Sequence, residues 1–188
     1  MTMKLYNDKA KTYYLLICVA FILTGCATSM DVQPVINQVT CHDFKLDGTI
    51  QYAKNIIYLP RTVRKSSTIP NKHSLNIKYD YQVMYGRNYL FNSNEIIPLF
   101  NPLTLLGAPI GEDNIYITGE LNILSENKII KSYRSVCQME KTRNLFHTGE
   151  TFSVMRKKGL LSVRDNIEKQ MCKDEAFLIR LSEKSNQF

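Results

Sequence analysis

The sequence IYITGELNILSENKIIKSYRSVCQM, residues 115–139, decides the fold of this 188-residue chain. Its apolar and small side chains occupy every second position on both sides of the polar segment SENK, residues 125–128. Successive side chains of a strand point to opposite faces, so a period of two indicates a strand with one buried face. The stretch therefore predicts a β-hairpin that turns at residues 125–128. The in-phase residues are Ile115, Ile117, Gly119, Leu121, Ile123, Tyr133, Ser135, Cys137 and Met139.

The flanking sequence predicts the remaining elements of an α+β fold. Residues 75–85 alternate in the same way and carry a stripe of tyrosines, and shorter strand-like segments occur at residues 39–44 and 49–59. From about residue 151 the apolar residues recur with a helical period. Strands first and a helix last predict an antiparallel sheet with a C-terminal helix packed on one face. We interpret the tyrosine stripe as core packing rather than as an aromatic platform for a ligand.

The amino terminus has the features of an export signal. Lys4, Lys9 and Lys11 precede an uncharged, mostly apolar run at residues 13–23. The run is too short to span a bilayer, because a membrane-crossing helix needs about 20 apolar residues. A basic region followed by a short apolar run is typical of a signal peptide that is later removed.

The apolar run ends in the sequence LTGC, residues 23–26. This motif resembles the lipobox of bacterial lipoproteins, in which an aliphatic residue and two small residues precede the cysteine. The resemblance implies cleavage after Gly25 and attachment of a diacylglycerol and an N-acyl chain to Cys26. Ala27 follows the cysteine, which fits an outer-membrane protein facing the periplasm if the organism is Gram-negative. We therefore expect a protein anchored to a cell membrane by lipid.

Three regions follow from this interpretation. Residues 1–25 are the predicted signal peptide, and residues 26–38 are the lipidated cysteine and a polar tether that Pro34 interrupts. Residues 39–188 are predicted to form a single α+β domain, because their length suits one hydrophobic core.

The five cysteines allow one disulfide in the mature protein. Cys18 leaves with the signal peptide and Cys26 receives the lipid, so three thiols remain in an oxidising compartment. We predict a disulfide between Cys41 and Cys137, since both lie in strand-like segments, and a buried or unpaired thiol at Cys172. The histidines are scattered and no metal-ligand spacing occurs, so no metal site is predicted.

Residues 96–111, IIPLFNPLTLLGAPIG, form an uncharged segment interrupted by three prolines. Such a segment must either fold beneath the domain as a buried crossover or contact something outside it. In the second case it provides a surface for a protein partner or for the membrane. The residues expected to make that contact are Leu99, Phe100, Leu103, Leu105 and Leu106.

Charge and motifs narrow the function classes. The net charge is +7, and removal of residues 1–25 leaves 21 basic and 16 acidic residues, or +5. In an exported protein this surplus favours anionic lipid headgroups or lipopolysaccharide over nucleic acid. The sequence contains no nucleophile motif, phosphate-binding glycine loop or dinucleotide fingerprint, so we predict neither an enzyme nor a cofactor.

These observations together predict a non-enzymatic interaction or assembly module of the cell envelope, with another envelope protein as its partner. Two alternatives remain open. One is a carrier or sensor that binds a lipid or glycan between the tyrosine-rich strand and the apolar segment. The other is an inhibitor or immunity-type lipoprotein that blocks a specific protein.

Overall fold

The computed structural model describes residues 28–37, 39, 44–52, 56–65, 75–89, 102–105, 107–146 and 149–186. Within them the chain forms strands followed by helices, which confirms the predicted α+β fold. The strands are β1 (Thr28–Gln33), β2 (Leu46–Tyr52), β3 (Val63–Lys65), β4 (Asn76–Tyr89), β5 (Pro109–Ser125) and β6 (Lys128–Asn144). The helices are α1 (Pro102–Leu105), α2 (Phe152–Lys173), α3 (Glu175–Asn186) and a 3-10 helix at Ile56–Tyr58.

The strands form one sheet in the order β1-β6-β5-β4-β2-β3. The sheet is mixed rather than purely antiparallel, since β2 runs parallel to both β3 and β4. Parallel neighbours need a crossover connection, because the chain must return to the same end of the sheet before it pairs again. The connection between β2 and β3 carries the 3-10 helix, a feature that the alternating pattern does not reveal.

The hairpin of β5 and β6 forms as predicted. Its turn residues Glu126 and Asn127 both have positive φ, 50° and 63°, as a two-residue type I′ turn requires. The alternation is also confirmed, because the in-phase residues of both strands from Ile115 to Met139 are buried. Tyr79 and Tyr81 of β4 are buried too, which confirms core packing for these two members of the tyrosine stripe.

Part of the segment predicted as a tether, residues 28–33, is instead a strand at the edge of the sheet. β1 lies beside β6, and the hydroxyl of Ser135 donates a hydrogen bond of 3.0 Å to the carbonyl of Gln33. The side-chain amide of Asn166 in α2 donates one of 2.9 Å to the carbonyl of Pro34. The polar sequence of β1 resembles a linker because the side chains of this edge strand are mostly exposed. A strand of this kind does not need apolar residues at every second position.

Two glycines allow helix α2 to lie close to strand β5. A Cβ at Gly119 would lie 2.5 Å from Cγ1 of Val163, and a Cβ at Gly159 would lie 2.6 Å from Cδ1 of Ile117. Both distances are below van der Waals contact, so each glycine receives the side chain of the opposite element. The predicted helical stripe is confirmed, with Met155, Leu160, Val163, Ile167 and Met171 buried.

A break at Asp174 separates α2 from α3. Its amide donates to the carbonyl of Met171 at 3.0 Å, and its carboxylate accepts hydrogen bonds from the Tyr133 hydroxyl at 3.1 Å and pairs with the Lys131 ammonium at 2.7 Å. The start of α3 is therefore held to strand β6 by a charged side chain.

The chain forms two compact units. The first comprises Met1–Ser29, Tyr85–Asn114 and Glu140–Thr151, and the second comprises Met30–Met84, Ile115–Met139 and Phe152–Phe188. The second unit contains the glycine pair and the apolar core around α2. The first unit contains a group of buried charges.

Candidate functional site

Five of the predicted site residues lie outside the described residues, namely Cys26, Cys41, Leu99, Phe100 and Leu106. Leu103 belongs to α1, and Leu105 at the end of that helix is 56% exposed. Its neighbour Thr104 is buried, and the amide of Gly107 donates to the Thr104 carbonyl at 3.1 Å. In the described part of the segment 96–111, Thr104 is therefore buried in the fold and Leu105 exposes an apolar side chain.

A pair of exposed apolar residues lies at the end of β6. Leu145 and Phe146 follow Asn144, the last residue of the strand. Phe146 is 68% exposed, the largest exposed fraction among the phenylalanines of the described residues. The side-chain oxygen of Asn144 accepts the amide hydrogen of Phe146 at 3.1 Å, which fixes the turn that carries the ring. Sequence analysis did not identify this pair, because two apolar residues at a strand end form no periodic pattern.

The first unit contains a carboxylate surrounded by three cations. Oδ1 of Asp113 lies 3.0 Å from Nε of Arg87 and 3.0 Å from Nε of Arg143, and Oδ2 lies 3.5 Å from Nζ of Lys141. The side chains of Asp113 and Lys141 are 3% and 4% exposed, whereas that of Arg87 is 49% exposed. We call these four residues the Asp113 cluster. It carries two more positive charges than negative ones.

The positions of Asp113 and Lys141 along β5 and β6 explain why these two charges are buried. Asp113 stands two residues before the buried Ile115 of β5, and Lys141 stands two residues after the buried Met139 of β6. Both therefore continue the buried face of their strand with a charge instead of an apolar group. Their even spacing from the apolar residues could have identified them in the sequence. The need for a counter-charge at such positions predicts that they pair.

Two glycines make room for the long cationic side chains. A Cβ at Gly111 would lie 2.6 Å from the carbonyl oxygen of Asn88 and 2.8 Å from a guanidinium nitrogen of Arg143. Gly149 has φ of 61°, and a Cβ there would lie 3.0 Å from Cδ of Lys141. The Lys141 ammonium also donates to the carbonyl of Glu150 at 2.5 Å. The backbone thus encloses Lys141 while Arg87 reaches solvent.

This arrangement can attract and orient anions. Arginine presents a planar fork of donors that suits carboxylate and phosphate groups. Asp113 accepts a hydrogen bond from Nε of Arg87 and so orients this guanidinium. The described residues contain no group of three or more His, Cys, Asp or Glu side chains that could hold a metal ion. The ion pairs of the cluster suit electrostatic binding and positioning.

The cysteines differ from the predicted pairing. Cys137 is a buried free thiol, so the predicted Cys41–Cys137 disulfide does not form. Burial raises the pKa of the Cys137 thiol to about 11, with a smaller contribution from the charge of Asp31. Cys172, predicted as a buried or unpaired thiol, is buried and disulfide-bonded. The prediction failed because Cys137 faces the core under Gly159, whose Cβ position lies 3.6 Å from its sulfur.

The buried tyrosines are part of the core. Tyr79 and Tyr81 lie with ring centroids 6.3 Å apart, and Tyr58 contacts Tyr81 edge-on at 5.8 Å. Burial raises the pKa of Tyr79 above its ordinary value, and burial together with Asp174 does the same for Tyr133. These hydroxyls therefore stay protonated in the folded protein.

Comparison with known proteins identifies no relative. The chain matches no protein-family model, no curated protein and no solved structure. Among the residues that the structure describes, no helix is both long enough and apolar enough to cross a membrane. Function must therefore be argued from this chain's own residues.

Proposed function

We propose that this protein is a lipid-anchored component of the cell envelope that acts as a non-enzymatic interaction or assembly module. The observation that carries the proposal is the position of β1. The strand begins at Thr28, two residues after the lipobox cysteine Cys26. An acyl anchor on Cys26 would therefore join the folded domain almost directly.

The distance between anchor and domain is short on any backbone conformation. Two fully extended residues span about 7 Å, which is comparable to the depth of the lipid headgroup layer on one side of the bilayer. β1 is in turn fixed to the domain by the hydrogen bonds that Ser135 and Asn166 donate to the carbonyls of Gln33 and Pro34. A domain held this way meets its partners at the membrane surface.

The segment 96–111 is the proposed contact with a protein partner. Leu105 exposes an apolar side chain from a helix that is fixed to the fold by the buried Thr104. Exposed apolar side chains beside polar ones are the usual anchors of protein interfaces. The charges of the Asp113 cluster are engaged in ion pairs within the fold, which supports a structural and binding role for them over proton transfer.

Two measurements test the proposal in cells. The first is mass spectrometry of the amino-terminal peptide from protein purified from membranes, comparing the wild type, Cys26→Ala and Cys18→Ala. We expect acylation of Cys26 in the wild type and in Cys18→Ala, since Cys18 lies in the predicted signal peptide, and its loss in Cys26→Ala. A wild-type peptide without lipid would overturn the anchor.

The second measurement is cross-linking from a photoreactive residue at Leu105, which is 56% exposed, with Val154 of α2, which is 43% exposed, as the control position. We expect a discrete protein adduct from position 105 that disappears in Cys26→Ala, and none of the same mass from position 154. Identical adducts at both positions, or none at position 105, would refute a specific partner at this segment.

A further inference from the structure

We propose that an extended, acidic segment of another protein adds as a strand to the edge of β6 at residues 128–133. This contact is separate from the one proposed at the segment 96–111, and it does not depend on the lipid anchor. All the residues that carry the inference belong to the second compact unit.

The first argument is that β1 covers only part of β6. β1 has 6 residues, whereas β6 has 17. Gln33, the last residue of β1, accepts a hydrogen bond from the Ser135 hydroxyl at 3.0 Å. Two residues earlier, the charge of Asp31 acts on the thiol of Cys137. β1 therefore runs from Ser135 towards the carboxyl end of β6, and among the described residues no strand lies beside β6 over residues 128–133.

The chain leaves the sheet where this unpaired edge begins. Pro34 follows β1, and its carbonyl accepts a hydrogen bond from Asn166 of α2 at 2.9 Å. Proline has no N–H with which to continue a strand ladder. The side-chain amide of Gln170 donates to the carbonyl of Arg134 at 2.8 Å. The unpaired edge therefore extends from Tyr133 back to the hairpin turn, which is about the length of an average strand.

The second argument is the apolar side chains on this edge. Ile129 is 61% exposed and Ile130 is 39% exposed. Exposed apolar residues on an unpaired strand edge are unfavourable in water, and pairing with another strand buries part of their surface. The added strand gains main-chain hydrogen bonds from the edge, and its side chains contact those of the edge strand.

The third argument is charge, which favours an acidic partner over a second copy of this chain. Residues 128–134 contain three cations and no acid. The Lys131 ammonium pairs with Asp174 at 2.7 Å. The exposed side chains of Lys128 and Arg134 have no partner among the described residues. Pairing two copies of this strand would bring like charges together, whereas acidic side chains would balance both cations.

The experiment uses the full-length acylated protein, purified from membranes in detergent. The probe is a fluorescently labelled peptide of about the length of one strand that alternates glutamate with valine. Fluorescence anisotropy measures its binding, and amide hydrogen exchange locates the contact. One control peptide alternates lysine with valine. The other has the glutamate sequence with N-methyl groups on its central backbone amides, so that neither edge of the peptide can form a strand ladder.

We expect the glutamate peptide to bind and to slow amide exchange within residues 128–133. Both control peptides should bind at least about tenfold more weakly, because one lacks the charge and the other lacks the main-chain hydrogen bonds. Lys128→Glu with Arg134→Glu should reverse the preference in favour of the lysine peptide. Arg156→Glu with Lys157→Glu, the same change of charge on exposed side chains of α2, should leave the preference unchanged.

Four results would overturn the inference. The glutamate peptide does not bind, or it slows exchange elsewhere in the chain. The N-methylated peptide binds as tightly as the glutamate peptide, which would exclude a strand ladder. The free protein is a dimer whose amides at residues 128–133 are already protected, which would assign the edge to a second copy. None of these results bears on the proposed function, which the mass spectrum of the amino-terminal peptide and the cross-linking at position 105 test separately.

Discussion

Replacing Asp113 with alanine should destabilise the protein far more than replacing an exposed aspartate. The side chains of Asp113 and Lys141 are only 3% and 4% exposed, and that of Arg143 is 13% exposed. Removal of the carboxylate takes away the counter-charge that Asp113 provides to these two buried cations. Breaking a buried ion pair by removing one partner costs about 3–5 kcal/mol.

The third cation contributes less to the expected loss. Arg87 is 49% exposed, so water screens its interaction and an exposed pair is worth at most about 1 kcal/mol. We therefore expect Asp113→Ala to lower the free energy of unfolding by about 3 kcal/mol, the lower end of the range for buried pairs. Asp113→Asn keeps the shape and one acceptor but not the charge, so its loss should be smaller.

Urea unfolding of the mature protein measures these differences. The control is Asp165→Ala, whose carboxylate is 43% exposed and lies 2.6 Å from the Arg164 guanidinium. Because the Arg164 side chain is only 15% exposed, some stability should be lost, but less than in Asp113→Ala, whose carboxylate is 3% exposed. The double variant Asp113→Ala, Lys141→Met removes the stranded ammonium and should recover part of the stability. The reasoning is refuted if Asp113→Ala costs no more than Asp165→Ala, or if the second substitution adds to the loss.

Three further predictions concern packing and cysteine chemistry. Gly159→Ala should gain about 1 kcal/mol of helix propensity but lose about 1–3 kcal/mol to the contact with Cδ1 of Ile117, so the free energy of unfolding measured in urea should fall. Adding Ile117→Val to this variant should offset the loss. A Gly159→Ala protein that is more stable than the wild type would contradict the close contact. The raised pKa of Cys137 should contribute stability that is complete below pH 9.0 and is lost as the pH rises through about 11, because only the unfolded chain releases the proton in that window. The free energy of unfolding should fall less steeply between these pH values in Cys137→Ala. Parallel pH dependences of the two proteins would argue against the raised pKa. Under the proposed function Cys18 is lost with the signal peptide and Cys26 carries lipid, so peptide mapping without reductant should find Cys172 joined to Cys41. Cys137 should resist alkylation until the protein unfolds, and a mapped Cys137 disulfide would contradict the structure.

The local elements were predictable because their signals lie within a few residues of one another. The hairpin turn at Glu126 and Asn127 follows from polar residues between two alternating runs. The buried face of α2 follows from the helical spacing of Met155 to Met171. The order of strands and helix was enough to predict an α+β fold.

The candidate site was predictable only in part. Leu105 was expected to contact a partner or the membrane and is exposed, whereas Leu145 and Phe146 carry no periodic signal and were missed. Asp113 and Lys141 are detectable in the sequence because they stand at even spacing from buried apolar residues. Their partner Arg87 lies on a different strand, so this pairing has no signal in the sequence. Which charge meets which depends on the order of strands in the sheet.

By itself the sequence determined the lipobox resemblance, the hairpin, the helical stripe and the fold class, since each depends on spacing along one segment. Tertiary structure decided the rest: the pairing of β1 with β6, the parallel neighbours of β2, the Asp113 cluster and the state of Cys137. These features join residues far apart in the chain. Their partners are chosen by shape, burial and charge balance, which no local pattern records.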